Sequence, residues 1–407
     1  MNQNTIQSYK SRIENIYPQI VDIRRRIHSN PELSEHEKET SALVAAILDE
    51  LNIPYEYMAG FGICATIYGR HPENKGVTVG IRADMDALPV TEDTDLQYAS
   101  AIPGIMHACG HDIHTSMLIG TATLLAADVN NLKGNIRLIF QPAEETIGGA
   151  ERMIQQGCLK NPDVSSVIGF HVSADAPAGV IQLVNGPMSA ASTEFTLEIE
   201  GISSHGAHPQ NGSDALLAAA HIVTALQSVV SRNLDPLASG VVTVGTFNSG
   251  TKANIISGKT TCSGIIRALS LESRAFIKER VKRISELTAE SYGCTCNVQF
   301  KDSYPSLEND SKLFELAKSL GEQALGSDKI FTSHITSMGA EDFAYFCHSV
   351  PSFYMNLGTA HSDRSLNYPL HSNKYNPVEE SMKNGILMEI LTALSIIETE
   401  NQKETTK

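Results

Sequence analysis

The order of strand-like and helix-like segments most restricts how this chain can fold. Apolar residues recur at helical spacing over residues 8–51, and short β-rich runs then alternate with helical ones. The predicted strands are 76–81, 135–140 and 166–170, and the helices between them are 112–127 and 148–156. Because strands joined through helices usually pair in parallel, we expect an α/β domain with a mostly parallel, mixed sheet.

The middle third of the chain has a different pattern. Its predicted strands are 193–200, 240–247, 260–267 and 295–300, and its predicted helices are 213–231 and 271–292. The resulting order, βαββαβ, is typical of an α+β ferredoxin-like sandwich. The α/β pattern then returns with a helix at 311–324, a strand at 353–357 and a helix at 379–398. We therefore predict a large domain, 1–187 and 305–407, that carries an inserted domain, 188–304.

Charge and composition exclude several classes of function. The formal net charge is −15, and no basic stripe is present that could follow a nucleic acid backbone. No uninterrupted apolar run has the length of a membrane span, and residues 1–26 lack the apolar segment of a signal peptide. The seven cysteines are scattered without regular spacing, which suits a reducing compartment. We expect a cytoplasmic protein with no nucleic acid or membrane partner.

Ionisable side chains follow three of the predicted strands. Asp84 and Asp86 come after the first strand, Glu144 and Glu145 after the second, and His171 after the third. Ligands of open α/β sheets gather at the carboxyl ends of parallel strands, so these side chains should lie close together.

The densest cluster of possible metal ligands lies between the first two strand ends. Three histidines and a cysteine occur within residues 106–114, where Cys109 and His111 are separated by one glycine. A lone cysteine or histidine is usually structural, but this density favours a metal site. Sulfur and imidazole ligands favour zinc or a similar transition metal over magnesium or calcium.

Glu144 and Glu145 are adjacent, so their side chains are expected to have different tasks. One can bind a metal, while the other accepts a proton from a water molecule as a general base. The alternative is a solvated acidic start of a helix.

Seven motifs together resemble a known family of enzymes. They are RADMDALP (82–89), MHACGHDIH (106–114), FQPAEETIGGA (140–150), GFH (169–171), SHGAHP (204–209), MGAEDFAYF (338–346) and LHS (370–372). This set resembles the aminoacylase and hippurate hydrolase branch of the dinuclear zinc aminoacylases and carboxypeptidases, to which plant auxin-conjugate hydrolases also belong. The resemblance covers nearly the whole chain. It implies a zinc-peptidase-like α/β catalytic domain with an inserted ferredoxin-like lid.

The resemblance also implies roles for individual residues. Two divalent ions (zinc, manganese, cobalt or nickel) would be held by five side chains, Cys109, His111, Glu145, His171 and His371. Glu144 would be the general base, and His205 of the lid would stabilise the oxyanion of the tetrahedral intermediate after lid closure.

Four further residues are assigned by the same resemblance. Asp84 or Asp86 would orient a metal-bound imidazole, although a structural aspartate in a turn is the alternative. Asn254 and Arg267 of the lid would bind the substrate carboxylate, and the alternative for Arg267 is a surface ion pair.

Three functions remain after these observations. The first is an amidohydrolase of linear amides that cleaves N-acyl amino acids, which are small-molecule substrates, into a carboxylate and a free amino acid. The second is a dipeptidase or carboxypeptidase, against which Cys109 argues, because the resemblance ties the Cys-Gly-His motif to the amidohydrolases. The third is a non-catalytic binding module, which would be expected to have lost the base or a ligand. The family also implies a homodimer formed through the lid.

Overall fold

The computed structural model describes residues 1–333 and 336–405, in which helices and strands alternate. The α-helices are α1 Gln3–Ser29, α2 Lys38–Glu50, α3 His111–Ala127, α4 Gly149–Gln155, α5 Ala215–Ser228, α6 Leu271–Ser291, α7 Ser311–Leu325, α8 Ala344–Cys347 and α9 Ser381–Thr405. The strands are β1 Tyr55–Met58, β2 Gly62–Tyr68, β3 Thr78–Asp84, β4 Asn135–Gln141, β5 Val164–Pro177, β6 Ile181–Val184, β7 Gly186–Ser189, β8 Ala191–Glu200, β9 Ser204–His205, β10 Gly240–Ser249, β11 Ile255–Ile256, β12 Lys259–Ala268, β13 Thr295–Asp302, β14 Leu307–Asn309, β15 Ile330–Ser333 and β16 Ser352–Ala360. The described residues form two compact units, with 1–186, 308–333 and 345–405 in the first and 187–307 and 336–344 in the second.

The first unit is built on a mixed sheet in the order β1-β2-β4-β3-β5-β16-β6-β15. The central neighbours β4, β3, β5 and β16 pair in parallel, whereas β1, β2 and β4 pair antiparallel. Every residue of β3 and β4 is buried, as expected for parallel strands that are covered on both faces. This sheet has the mostly parallel, mixed character that the sequence predicts.

Helices α1, α3 and α9 pack against one another, and both α3 and α9 contact β3. Helix α3 is almost entirely buried and is apolar around most of its circumference, as expected of a helix inside a large core. The carboxyl end of β3 and the start of α3 are therefore fixed by the same core.

One carboxylate of this core, Glu389 on α9, is fully buried and accepts a hydrogen bond from the Thr121 hydroxyl of α3. Burial raises the pKa of Glu389 from 4.5 to about 8. Between these two pH values the folded chain keeps a proton that the unfolded chain releases, so stability falls as the pH rises.

We expect Glu389→Gln to stabilise the protein at pH 8 by up to about 4 kcal/mol and to have little effect near pH 4.5. The thermal midpoints of the variant and the wild type, compared across this pH range, test the expectation. Glu398→Gln, an exposed change on the same helix, is the matched control. A Glu389→Gln difference that is the same at both pH values would contradict the prediction.

The second unit contains an antiparallel sheet in the order β10-β12-β8-β13, with α5 and α6 packed on it. In chain order its main elements are β8, α5, β10, β12, α6 and β13, which is the βαββαβ order predicted for a ferredoxin-like sandwich. Alternate side chains of β8, namely Phe195, Leu197 and Ile199, enter its core.

The second unit also takes in 336–344, a segment that the sequence pattern placed in the large domain. The backbone explains this position, because Ser337 N donates to Met188 O at 2.9 Å and Ala190 N donates to Gly339 O at 2.9 Å. Apart from Met188 on β7, the bonded residues lie outside the named helices and strands, so no periodicity in the sequence marks their pairing.

The segment Ala215–Asn233 is long enough and, with a mean hydropathy of 1.3, apolar enough to cross a membrane. Its side chains Ala215, Ala218, Ile222 and Leu226 pack into the core of the second unit. A single segment of this kind is weak evidence for a membrane span, because core helices have the same composition.

Candidate metal centre

The carboxyl ends of β3 and β4 bring the acidic loops to one edge of the first unit's sheet, and His171 joins them from the middle of the parallel strand β5, which continues to Pro177 instead of ending at 170. Strand β3 lies between β4 and β5, and Asp84 at its end is opposite Gln141, the last residue of β4. Asp86, Glu144 and Glu145 follow these strand ends, and His171 lies on β5. The parallel register therefore brings together side chains that are far apart in the sequence.

Gly110 separates the ligand candidates Cys109 and His111 and adopts a left-handed conformation with φ +84° just before α3. A Cβ atom at this position would lie 2.6 Å from Val172 Cγ2, so a side chain would collide with β5. Glycine at position 110 thus lets the chain turn into α3 while the side chains of Cys109 and His111 stay close to each other.

His371 reaches the site from the last part of the chain. Its backbone is left-handed, with φ +66°, and its N–H donates to Ala108 O at 2.8 Å. A non-glycine residue in this conformation needs support from its surroundings, which this hydrogen bond supplies.

Five side chains converge as two groups of three that share Cys109. Donor atoms of Cys109, His111 and His171 lie within 4.8 Å of one another, and so do those of Cys109, Glu145 and His371. Cys109 Sγ is 3.5 Å from His171 Nε2, and Glu145 Oε1 is 3.4 Å from His371 Nε2 and 3.9 Å from His111 Nε2. Glu144, His111 and Glu145 form a further close group.

Buried hydrogen bonds orient the imidazole of His111. Asp86 Oδ1 lies 3.2 Å from His111 Nδ1, so Nε2 is left to face the other ligand candidates. Asp84 contacts Arg82 Nη1 and His114 Nδ1, each at 2.6 Å, and its Oδ2 lies 3.7 Å from His111 Nε2. The two aspartates therefore differ, because Asp86 bonds a ligand candidate directly while Asp84 links Arg82 to His114.

His114 lies beside this group but has neither ring nitrogen available for a metal. Its Nε2 accepts a hydrogen bond from Val172 N at 2.9 Å, and its Nδ1 bonds to Asp84. His171 is arranged differently, because its Nδ1 donates to Val172 O at 2.7 Å and leaves Nε2 toward Cys109.

The protonation of the group follows from burial and from neighbouring charges. Burial lowers the pKa of His171 to about 3, and nearby His114 adds to this effect, so His171 is neutral. Burial raises the pKa of the Cys109 thiol. Burial opposes a charge on His111, but Asp84 and Cys109 outweigh it and raise its pKa. Cation binding would therefore displace protons from Cys109 and His111.

The donor set fits a transition metal ion. His111 Nε2 and Glu145 Oε1 are buried and have no hydrogen-bond partner, an arrangement that is costly unless a cation satisfies them. Sulfur, nitrogen and carboxylate oxygen ligands together favour zinc-like ions.

Comparison with known proteins assigns the family. The sequence profile of Peptidase family M20/M25/M40 matches residues 80–394, which include all five converging side chains. The chain belongs to this family. Its motifs and its mixed sheet agree with that assignment.

The names of three proteins that are similar to this chain include both a deacetylase and peptidases. N-acetyl-L-cysteine deacetylase of Bacillus subtilis is 39% identical over 342 residues, which cover 84% of this chain and 80% of the deacetylase. Thermostable carboxypeptidase 2 of Saccharolobus solfataricus is 38% identical over 393 residues, 96% of this chain and 98% of the carboxypeptidase. The crystal structure of the Bacillus subtilis YXEP protein, described as a dinuclear metal binding peptidase, is 32% identical, has a TM-score of 0.82 and covers 95% of this chain and 99% of that one.

Three predicted site residues of this M20-family chain lie in the second unit. His205 on β9 pairs with Ile255 on β11, and Gly206 N donates to Asn254 O at 2.8 Å, so His205 and Asn254 are neighbours. Arg267 lies on β12, opposite Ser192 and Val241. Its Nη1 is buried without a hydrogen-bond partner.

Two residues that were not predicted from the sequence contact the acidic loops. The Ser34 hydroxyl donates to Asp86 Oδ2 at 2.6 Å, and Glu37 Oε1 accepts from Ala143 N at 2.8 Å. Both lie in a short polar connection between α1 and α2, a kind of segment that is usually solvated. The available signal was in the sequence Asn-Pro-Glu-Leu at 30–33, which breaks the helical spacing of residues 8–51 and is followed by a serine and two glutamates.

The conformation of Gly110 leads to a prediction. We expect Gly110→Ala to lower the free energy of unfolding by about 2 to 4 kcal/mol and to weaken metal binding, because its Cβ would push Val172 and separate Cys109 from His111. Thermal unfolding and the metal content of the purified protein are the measurements.

Gly104→Ala is the matched control, because Gly104 has a similar φ of +83° but nothing lies within 4 Å of an added Cβ. It should cost about 1 kcal/mol and leave the metal content unchanged. Equal effects of the two changes would show that the collision with Val172 is unimportant.

Proposed function

We propose that this chain hydrolyses the amide bond of N-acyl amino acids and releases a carboxylate and a free amino acid. The observation that supports this most is the pair of ligand groups sharing Cys109, with the carboxylate of Glu144 beside them. A deacetylase of N-acetyl-L-cysteine that is 39% identical agrees with this substrate class.

The metal sites are part of the proposal. Cys109, His111, Glu145, His171 and His371 would hold two divalent ions, zinc, manganese, cobalt or nickel. When bound, the ions would polarise the amide carbonyl and lower the pKa of water. Asp86 would keep His111 oriented through its Nδ1, and Asp84 would fix His114 and Arg82 behind it.

Glu144 would act as the general base. It would take a proton from the attacking water and return it to the leaving amine as the carbon–nitrogen bond breaks. Glu144 suits this role because it is adjacent to the ligand candidate Glu145 in sequence, and its carboxylate lies within 4.8 Å of His111 and Glu145 donor atoms.

His205 would stabilise the oxyanion of the tetrahedral intermediate. Ala207 N donates to His205 Nδ1 at 3.0 Å, which leaves the proton of the neutral ring on Nε2, in an exposed side chain able to donate. Asn254 and Arg267 would bind the substrate carboxylate, and the unpartnered Nη1 of Arg267 supports this role.

The decisive experiment is release of free amino acids from a panel of N-acetyl and N-benzoyl amino acids, with dipeptides and longer peptides in parallel. The protein is stripped of metal and reloaded separately with zinc, manganese, cobalt or nickel. Metal-dependent hydrolysis of acyl amino acids is the expected result. Hydrolysis confined to peptides would favour a dipeptidase or carboxypeptidase, which the thermostable carboxypeptidase relative makes the second candidate.

We further propose a cytoplasmic homodimer formed through the second unit. The strands β10 and β13 are the edges of its sheet, and edge strands carry unpaired backbone groups that can pair with another copy. A monomer in sedimentation equilibrium would contradict the dimer.

A further inference from the structure

The connection between α1 and α2, residues 30–37, contacts both acidic loops of the candidate metal centre. Ala87 N donates to Glu32 O at 2.7 Å, and the Ser34 hydroxyl donates to Asp86 Oδ2. The segment ends at Glu37, which is completely buried. Burial of an acidic side chain beside other carboxylates costs free energy unless hydrogen bonds offset it.

Glu37 Oε1 accepts a hydrogen bond from Ala143 N at 2.8 Å. Ala143 has a left-handed backbone with φ +55°, a conformation that an L-residue with a Cβ rarely adopts without support. The buried hydrogen bond from Ala143 to Glu37 supplies such support, because a buried N–H without a partner would be costly.

The turn after β4 is therefore held on both sides of Glu144. Ala143 N bonds to Glu37 on one side, and Glu145 N donates to Asp86 Oδ2 at 3.0 Å on the other. Asp86 thus fixes the backbone of the ligand candidate Glu145, whereas Glu37 fixes the residue immediately before Glu144.

We propose that Glu37 is a positioning residue, whose hydrogen bond to Ala143 holds the backbone from which Glu144 reaches its working position. This inference rests on the proposed function of Glu144 as the general base. Glu37 acts through the turn and has no contact with a substrate. Its effect should therefore fall on kcat, since a small displacement of a base slows proton transfer without removing substrate contacts.

The test compares Glu37→Ala with Glu37→Gln in the metal-loaded full chain. Glutamine keeps an oxygen that can accept from Ala143 N, while alanine removes it. We expect Glu37→Ala to lower kcat by about 10- to 100-fold with little change in KM and with two ions still bound. Glu37→Gln should stay within about threefold of the wild type.

Val44→Ala is the matched control for simple destabilisation. Val44 is fully buried on α2, as Glu37 is at the position just before that helix, but its apolar side chain cannot accept a hydrogen bond from Ala143 N. Val44→Ala should lower the thermal midpoint and leave kcat unchanged. An equal loss of kcat in Val44→Ala and Glu37→Ala would overturn the positioning role.

Hydrogen exchange provides a readout that does not depend on activity. The amides of residues 143–146 should exchange faster in Glu37→Ala than in the wild type, Glu37→Gln or Val44→Ala. If the wild type hydrolyses no N-acyl amino acid, the proposed function fails while exchange still tests the contact. Unchanged exchange in Glu37→Ala, or wild-type kcat in that variant, would refute the inference.

Discussion

Glu144→Gln is expected to lower kcat by about 10³-fold or more while two metal ions remain bound per chain. Glutamine has nearly the same shape as glutamate but cannot accept the proton that the attacking water must lose. The five ligand candidates are unchanged in this variant, so metal binding should persist. Steady-state kinetics and metal analysis of the same preparation are the measurements.

Glu151→Gln is the control for this variant, since Glu151 is an exposed glutamate in the first turn of α4, a few residues downstream. It should have wild-type kinetics. If Glu144→Gln kept more than about a tenth of the wild-type kcat, another group would have to accept the proton, and the proposed mechanism would be wrong.

Glu145→Ala should reduce the metal content to at most one ion per chain and remove measurable hydrolysis. Glu145 Oε1 lies 3.4 Å from His371 Nε2 and 3.9 Å from His111 Nε2, so its carboxylate lies between members of the two ligand groups. Its removal deletes a ligand and exposes His111 and His371 to mutual repulsion when both are charged.

Metal titration by calorimetry, with ion content measured after gel filtration, tests the Glu145 prediction. Glu151→Ala, the corresponding change at an exposed site of the same segment, should bind two ions. Two ions held by Glu145→Ala with wild-type affinity would remove Glu145 from the proposed ligand set.

The sequence indicated most of the architecture because its signals are local. The buried strands β3 and β4 are short runs rich in aliphatic residues, and β8, β10, β12 and β13 keep their periodicity within short windows. The closing helix was predicted to end at 398 but continues to Thr405. Strands β1 and β2 were missed; β1 is a four-residue edge strand with little periodicity, and β2 pairs antiparallel beside it, outside the strand–helix alternation that marked β3 and β4.

The candidate site was accessible to sequence reasoning only in part. Cys109 and His111 were identifiable from the density of ligand types, and Glu144, Glu145 and His171 from their positions after predicted strands. His371 was assigned by resemblance alone, and the structure brings it to Ala108 through a backbone hydrogen bond. Glu37 was missed because its partner is a backbone N–H of a distant turn, and the polar residues around the helix break mark the segment but not this contact.

His371, whose backbone bonds to Ala108, is synthesised after the other four ligand candidates. Cys109, His111 and His171 all precede the inserted second unit in the chain, but His371 is made after it. At ribosomal speeds the interval is on the order of ten seconds or more, during which a nascent chain can present only the first group of ligands. The second group of ligand candidates is completed only near the end of translation, so an unfinished chain would lack the metal site that we propose for His371.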